Sequence, residues 1–172
     1  MLKYPITLLL VSSLWALSAC SRGETPEHAA EGEPGRAHAQ GDDAALDHVR
    51  AGVHALTQPE PSVEYVAAEM EGVIMARTKS QALMHYDGYR VTLTIPGDRV
   101  TQITFDLIEA KPTIRQMSDA FGESREVRKG LVYQQESAVT GATILILAEP
   151  VSMPAGEGSL VRRIVIEGAR TR

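Results

Sequence analysis

Cysteine and histidine are the residue types with the most distinctive chemistry in this chain, and both are scarce. The 172 residues include one cysteine, Cys20, and five histidines. Four of the histidines precede residue 55, with gaps of ten, ten and six residues, which is not the spacing of a metal site. The fifth, His85, is interpreted as a half-exposed strand residue rather than a general base. We therefore predict no bound metal and no cofactor.

Motifs of the common enzyme classes are absent from the sequence. It contains no Gly-x-Ser-x-Gly, no His-Glu-x-x-His, no glycine-rich phosphate loop and no paired-cysteine metal site. The basic residues Arg125, Arg128 and Lys129 are predicted to form a loop. An anion could bind such a loop, but a solvated surface is the favoured interpretation. We expect no catalytic residues and no enzymatic activity.

The N-terminal segment has the pattern of a secretory signal. Lys3 is followed by an almost entirely apolar stretch from Pro5 to Ala19. Fifteen residues of helix rise only about 22 Å, which is less than the roughly 30 Å of a bilayer's hydrocarbon core. Residues 1–19 are therefore predicted to be a cleaved signal peptide rather than a membrane-spanning helix.

The sequence Leu17-Ser18-Ala19-Cys20 closes this apolar stretch. It resembles the lipobox of bacterial lipoproteins, Leu-(Ser/Ala)-(Ala/Gly)-Cys, at all four positions. The resemblance implies cleavage between Ala19 and Cys20 and acylation of Cys20, including a diacylglycerol on its sulfur. It also implies anchoring in a membrane of the bacterial envelope. In a two-membrane host, Ser21 in place of Asp favours the outer membrane, with the protein facing the periplasm.

Charge is distributed unevenly along the remaining chain. Residues 21–61 contain eight acidic residues and three arginines, whereas residues 62–172 contain fourteen acidic and thirteen basic residues. The near-neutral second part argues against a nucleic-acid-binding surface. Residues 20–41 are rich in Gly, Glu, Ala and Pro and are predicted to be a disordered tether for the lipidated cysteine.

The folded domain is predicted to span residues 42–172. Apolar residues from Ala45 to Leu56 recur at helical spacing and predict a first helix at residues 42–56. Two later stretches are similar to each other at an offset of 51 residues. These are Pro61-Ser62-Val63-x-x-Val66-x-x-x-Met70 and Pro112-Thr113-Ile114-x-x-Met117-x-x-x-Phe121. We interpret residues 61–107 and 112–167 as two repeat units.

Each repeat unit is predicted to be a helix followed by strands. Six alternating or apolar segments predict the strands, and Asp87-Gly88 predicts a hairpin turn between two of them. The predicted fold class is α+β, a tandem repeat of helix-plus-antiparallel-strands units. Together the units would form one sheet of about six strands with helices on one face. This outline resembles the β-lactamase-inhibitor-like fold and small lipoproteins of outer-membrane assembly, which implies protein binding without catalysis.

The favoured function is that of a membrane-anchored envelope lipoprotein that binds or supports another envelope protein. A carrier for a small ligand or lipid is the alternative, and a cell-envelope hydrolase is a third. Tyr86 and Tyr89, which flank the Asp87-Gly88 turn, are candidate interface residues, because tyrosine often anchors interfaces. Packing across the strands is the competing interpretation for both tyrosines. The polar sheet face and the loop at residues 149–159 are the other candidate surfaces.

Overall fold

A computed structural model describes the backbone of residues 34–138 and 140–168, and the side chains from Gly41 onward. The described chain forms helices and strands with the following bounds. They are α1 (Pro34–Leu56), α2 (Val63–Glu69), β1 (Ile74–Arg77), β2 (Gln81–Tyr86), β3 (Tyr89–Thr94), β4 (Gln102–Leu107), α3 (Ile114–Phe121), β5 (Ser124–Val127), β6 (Gly130–Glu136), β7 (Thr143–Pro150) and β8 (Val161–Glu167).

All the strands belong to one antiparallel sheet, in the order β1-β2-β3-β4-β8-β7-β6-β5. Consecutive strands pair as hairpins, except at the centre, where β4 pairs with β8. The predicted fold of tandem repeat units forming a sheet of about six strands is wrong, because the described residues form a single sheet of eight strands.

The two unpredicted strands are the edges of the sheet. β1 and β5 have four residues each, and most of their side chains are exposed or half-exposed. An edge strand of this kind buries too little for a regular apolar alternation to appear in its sequence. Arg125 was predicted to lie in a loop because β5 was not predicted, but it is a residue of that strand.

Helix boundaries follow local capping chemistry. The Ser62 side chain accepts a hydrogen bond from the backbone of Tyr65 and caps α2. Thr113 and Gln116 form the predicted capping box at the start of α3. Gly122 ends that helix with a φ of 83°, a value that glycine adopts without steric cost.

Helix α1 begins at Pro34, earlier than the predicted start at Asp42, so the end of the predicted tether is helical. Proline suits a first helical position because its missing N–H has no partner there. The helix runs along the sheet: Gly41 lies beside Ala110, and Leu56 beside Gly168. We call the end of the sheet near Ala110 the hairpin end. It carries the turns and loops at residues 87–88, 108–113, 128–129 and 151–160.

One apolar core fills the space between the three helices and one face of the sheet. Directly opposed residues on neighbouring strands share a face, so the register identifies which side chains enter this core. The row across the middle of the buried face is Ala82, Leu93, Ile103, Ile166, Ile146 and Tyr133. Along each strand, the residues next to those of this row point to the other face of the sheet, which none of the described helices covers.

Candidate functional site

The predicted anchor, Cys20, and the predicted signal peptide at residues 1–19 lie outside the described residues. In the described part of the chain, no helix is long and apolar enough to cross a membrane.

Tyr86 and Tyr89 are brought together, but on the helix-covered face. They oppose each other in the β2–β3 hairpin, and their rings stack with centroids 5.0 Å apart. Tyr89 is 3% exposed, and the Tyr86 hydroxyl donates to the carbonyl of Met70 at 2.9 Å. For Tyr89 the geometry favours the competing interpretation, cross-strand packing, because its ring is buried, whereas the ring of Tyr86 is half-buried against the core.

His48 of α1 completes this aromatic cluster. Its ring centroid lies 4.4 Å from that of Tyr86, and its Nδ1 shares a short hydrogen bond with the Tyr89 hydroxyl. Burial lowers the pKa of His48, although the nearby carboxylates of Glu71 and Asp47 act in the opposite direction. Burial also raises the pKa of Tyr86 to about 12. The cluster packs α1 against the sheet.

The uncovered face of the sheet, called the open face below, has a neutral centre. Its middle row crosses every strand and contains threonine or aliphatic side chains at all but the β5 edge, where Arg125 lies. The row is Ala76, Leu83, Thr92, Thr104, Val165, Leu147, Val132 and Arg125.

The row nearer the hairpin end is charged. It consists of His85, Arg90, Asp106, Arg163 and Glu149 on five adjacent strands. Arg163 donates through Nε to Asp106 at 2.7 Å, and this bond raises the pKa of the guanidinium. Glu149 lies between Arg162 and Arg163, at 3.8 and 4.0 Å. His85 is exposed, which agrees with its interpretation as a strand residue.

A β-bulge gathers basic residues at one corner of this face. Glu149 of β7 pairs with Arg163, and the next residue, Pro150, pairs with Val161. Arg162 is therefore an extra residue on β8 with no partner on β7. The side chains of Arg162 and Arg163 are both exposed. The adjacent β5–β6 turn adds Arg128 and Lys129. These four basic residues, called the basic cluster below, line a depression of about 480 Å³ together with Glu149, Val151 and Met153.

The predicted exposed loop at residues 149–159 begins later than expected, because β7 continues through Pro150. Val151 in this loop is 54% exposed and Met153 is 41% exposed. A carrier would need a cavity between sheet and helices. Instead, the depressions described here lie at the ends of the sheet, including one of about 510 Å³ near Leu56 and Pro61.

The described residues form no group of three or more His, Cys, Asp or Glu side chains that could hold a metal. Comparison with protein-family models, with curated proteins and with solved structures finds no match for this chain.

The sequence indicated parts of both surfaces. The alternation in β3 and β4 predicted a polar sheet face, on which Thr92 and Thr104 now lie. The sequence also predicted Arg128 and Lys129 in one basic segment, but it did not join them to Arg162 and Arg163. These arginines meet Arg128 only through strand order and a bulge, which the local sequence does not specify.

Proposed function

We propose that this protein is a lipid-anchored, non-catalytic module of the bacterial envelope that binds another protein through its open face. The observation that supports the proposal is the eight-stranded sheet, of which the described helices cover only one side. Such a broad, rigid surface with side chains fixed by strand pairing is suited to recognising a folded partner.

The size of the open face matches a protein interface. Eight strands about 4.8 Å apart make a sheet about 34 Å wide, and six residues per strand give a length of about 20 Å. The resulting footprint of roughly 700 Å² is close to the roughly 800 Å² that each partner contributes to a standard interface.

The chemistry of the face supports the same function. Interfaces commonly have a core depleted in charge and a polar rim. Here Thr92, Thr104 and Val165 form a neutral centre, while Asp106 and Arg163 belong to the charged row on one side. Asp106 and Arg163 form an ion pair at 2.7 Å within that row, so these charges lie beside the centre rather than in it.

Site-specific cross-linking in the native membrane tests the protein-binding proposal. A photo-reactive amino acid at Thr104 should give a discrete adduct with one envelope protein. The matched control replaces Asp119, an exposed residue of α3 on the helix side of the molecule. No adduct at Thr104, or the same adduct from both positions, would contradict binding through the open face.

The membrane part of the proposal depends on Cys20. In the lipoprotein pathway that its lipobox resembles, the sulfur carries a diacylglycerol, and several acyl chains hold a protein firmly on a bilayer. We expect metabolic labelling with palmitate to mark the wild-type chain and not a Cys20→Ser chain. Wild-type protein should also fractionate with outer membranes. Unlabelled wild-type protein would rule out this anchor.

A further inference from the structure

The hairpin end combines an excess of positive charge with exposed apolar side chains. Arg128 and Lys129 have no ion pair within 4.0 Å among the described residues. Arg162 has only the carboxylate of Glu149, at 3.8 Å, whereas Arg163 is paired with Asp106 as well as with Glu149. Residues 62–172 are close to neutral overall, with fourteen acidic and thirteen basic residues. The corner is therefore a positive region of a near-neutral domain.

Apolar side chains border the basic cluster. Val151 and Met153 line the same depression, and Leu160 is 46% exposed at the other end of the same loop. Ile108, in the loop after β4, is also largely exposed at this end of the sheet. Basic residues around exposed aliphatic side chains are typical of surfaces that rest on anionic membranes, where the apolar groups enter the interface.

The chain leading to Cys20 joins the domain at this same end. Gly41 of α1 lies beside Ala110, and the helix continues upstream to Pro34. Seven further helical residues extend about 10 Å. The described chain that leads towards Cys20 therefore enters the domain at the hairpin end, where the basic cluster also lies.

We propose that the hairpin end is a membrane-docking surface, on which the basic cluster binds anionic phospholipid head groups and Val151 and Met153 enter the interface. The orientation argument rests on the lipid anchor proposed above, whereas the charge and apolar pattern do not. In this arrangement the strands run roughly perpendicular to the plane of the membrane. The open face is then also perpendicular to the membrane and is not covered by it. A partner could then reach the open face while the domain stays docked.

Vesicle flotation of the processed chain, residues 20–172, tests the docking surface without the lipid. Cys20→Ser is included in every protein, so any binding comes from the domain. We expect binding to vesicles containing phosphatidylglycerol and none to vesicles of phosphatidylcholine alone. Arg128→Glu with Lys129→Glu should weaken binding at least about tenfold, because each basic group near an anionic surface contributes substantially.

The matched control is Lys79→Glu with Arg99→Glu, the same charge change on exposed residues at the opposite end of the sheet. It should alter vesicle binding less than about twofold. Val151→Ser with Met153→Ser should weaken binding without changing its dependence on salt, because it removes only the apolar contribution. Circular dichroism spectra identical to those of the unchanged chain would show that each variant is folded.

Three results would overturn the proposal: no binding to anionic vesicles, equal loss in both charge-reversal variants, or unchanged binding after reversal of Arg128 and Lys129. If that reversal instead abolished the Thr104 cross-link, the basic cluster would belong to the protein interface. An error in the lipid-anchor proposal would be distinguishable from an error in the docking proposal. It would appear as absence of palmitate labelling while vesicle binding persisted.

Discussion

At the scale of single residues, the hydrogen bond between His48 and Tyr89 is a polar contact that joins α1 to the sheet. Tyr89→Phe should destabilise the domain by about 1 kcal/mol, because it leaves the imidazole nitrogen without its partner. A double-mutant cycle with His48→Ala, measured by urea unfolding, should give a coupling energy of about 1 kcal/mol. Effects that add within about 0.3 kcal/mol would show that the bond contributes nothing specific.

The same histidine makes stability depend on pH. Burial lowers the pKa of His48 below its usual 6.5, so the unfolded chain binds more protons than the folded one in the window below that value. The contribution of His48 to the free energy of unfolding is fully present above pH 6.5. It is lost as the pH falls through the lowered pKa of the folded state.

We therefore expect the Tm to fall between about pH 7 and about pH 5, and to fall less in His48→Gln, which cannot be protonated. His85→Gln is the matched control, because it makes the same substitution at an exposed strand position. Parallel profiles for the wild type and His48→Gln would contradict this origin of the pH dependence.

At the scale of elements, β6 and β7 approach too closely at Gly130 for any side chain. A Cβ on this residue would overlap the carbonyl oxygen of Ala148, which belongs to the strand backbone and cannot rotate away. Gly130→Ala should destabilise the domain by about 1–3 kcal/mol in urea unfolding, as overpacking does elsewhere. Gly156→Ala is the control, because a Cβ there meets nothing within 4 Å. Equal stability of the two variants would disprove the close approach.

Helix α1 also contains a glycine, Gly52, where the helix packs closely against the sheet. Gly52 lowers the intrinsic stability of a helix, yet here a Cβ would lie 3.1 and 3.2 Å from Cδ1 of Ile166 and Ile103. The glycine lets the helix lie close to β8 and β4, whose pairing joins the two halves of the sheet. We expect Gly52→Leu to lower stability by about 1–3 kcal/mol, and chemical unfolding would measure it. A variant as stable as the wild type would contradict this packing.

The elements differ in how far their sequences specify them. Thr113 with Gln116 predicted a helix start, because capping acts within a single turn. β1 was not predicted, because an edge strand pairs on one side only and buries little. Tyr89 was in phase with Val91 and Leu93, so its buried orientation could have been read from the sequence. The pairing of β4 with β8 depends on the whole chain and had no local signal.

At the scale of the whole molecule, three surfaces have separate tasks in the proposed arrangement. The helix-covered face supplies stability, the open face supplies recognition, and the hairpin end meets the membrane. The separation follows from strand geometry, since residues along a strand alternate between faces while its loops collect at its ends. Charge reversal at Arg128 and Lys129 should therefore leave cross-linking from Thr104 intact, and this pair of measurements shows whether the surfaces are independent.

If Cys20 is acylated as proposed, the final location of the molecule should depend on the residue after it. By the sorting rule of the lipoproteins whose lipobox this chain resembles, Ser21 directs it to the outer membrane of a two-membrane host. We expect Ser21→Asp to place the protein in the inner membrane on a sucrose gradient. Ser21→Ala, which introduces no charge, should remain in the outer membrane. An unchanged distribution for Ser21→Asp, with palmitate still attached, would show that attachment and sorting are governed by different features of this chain.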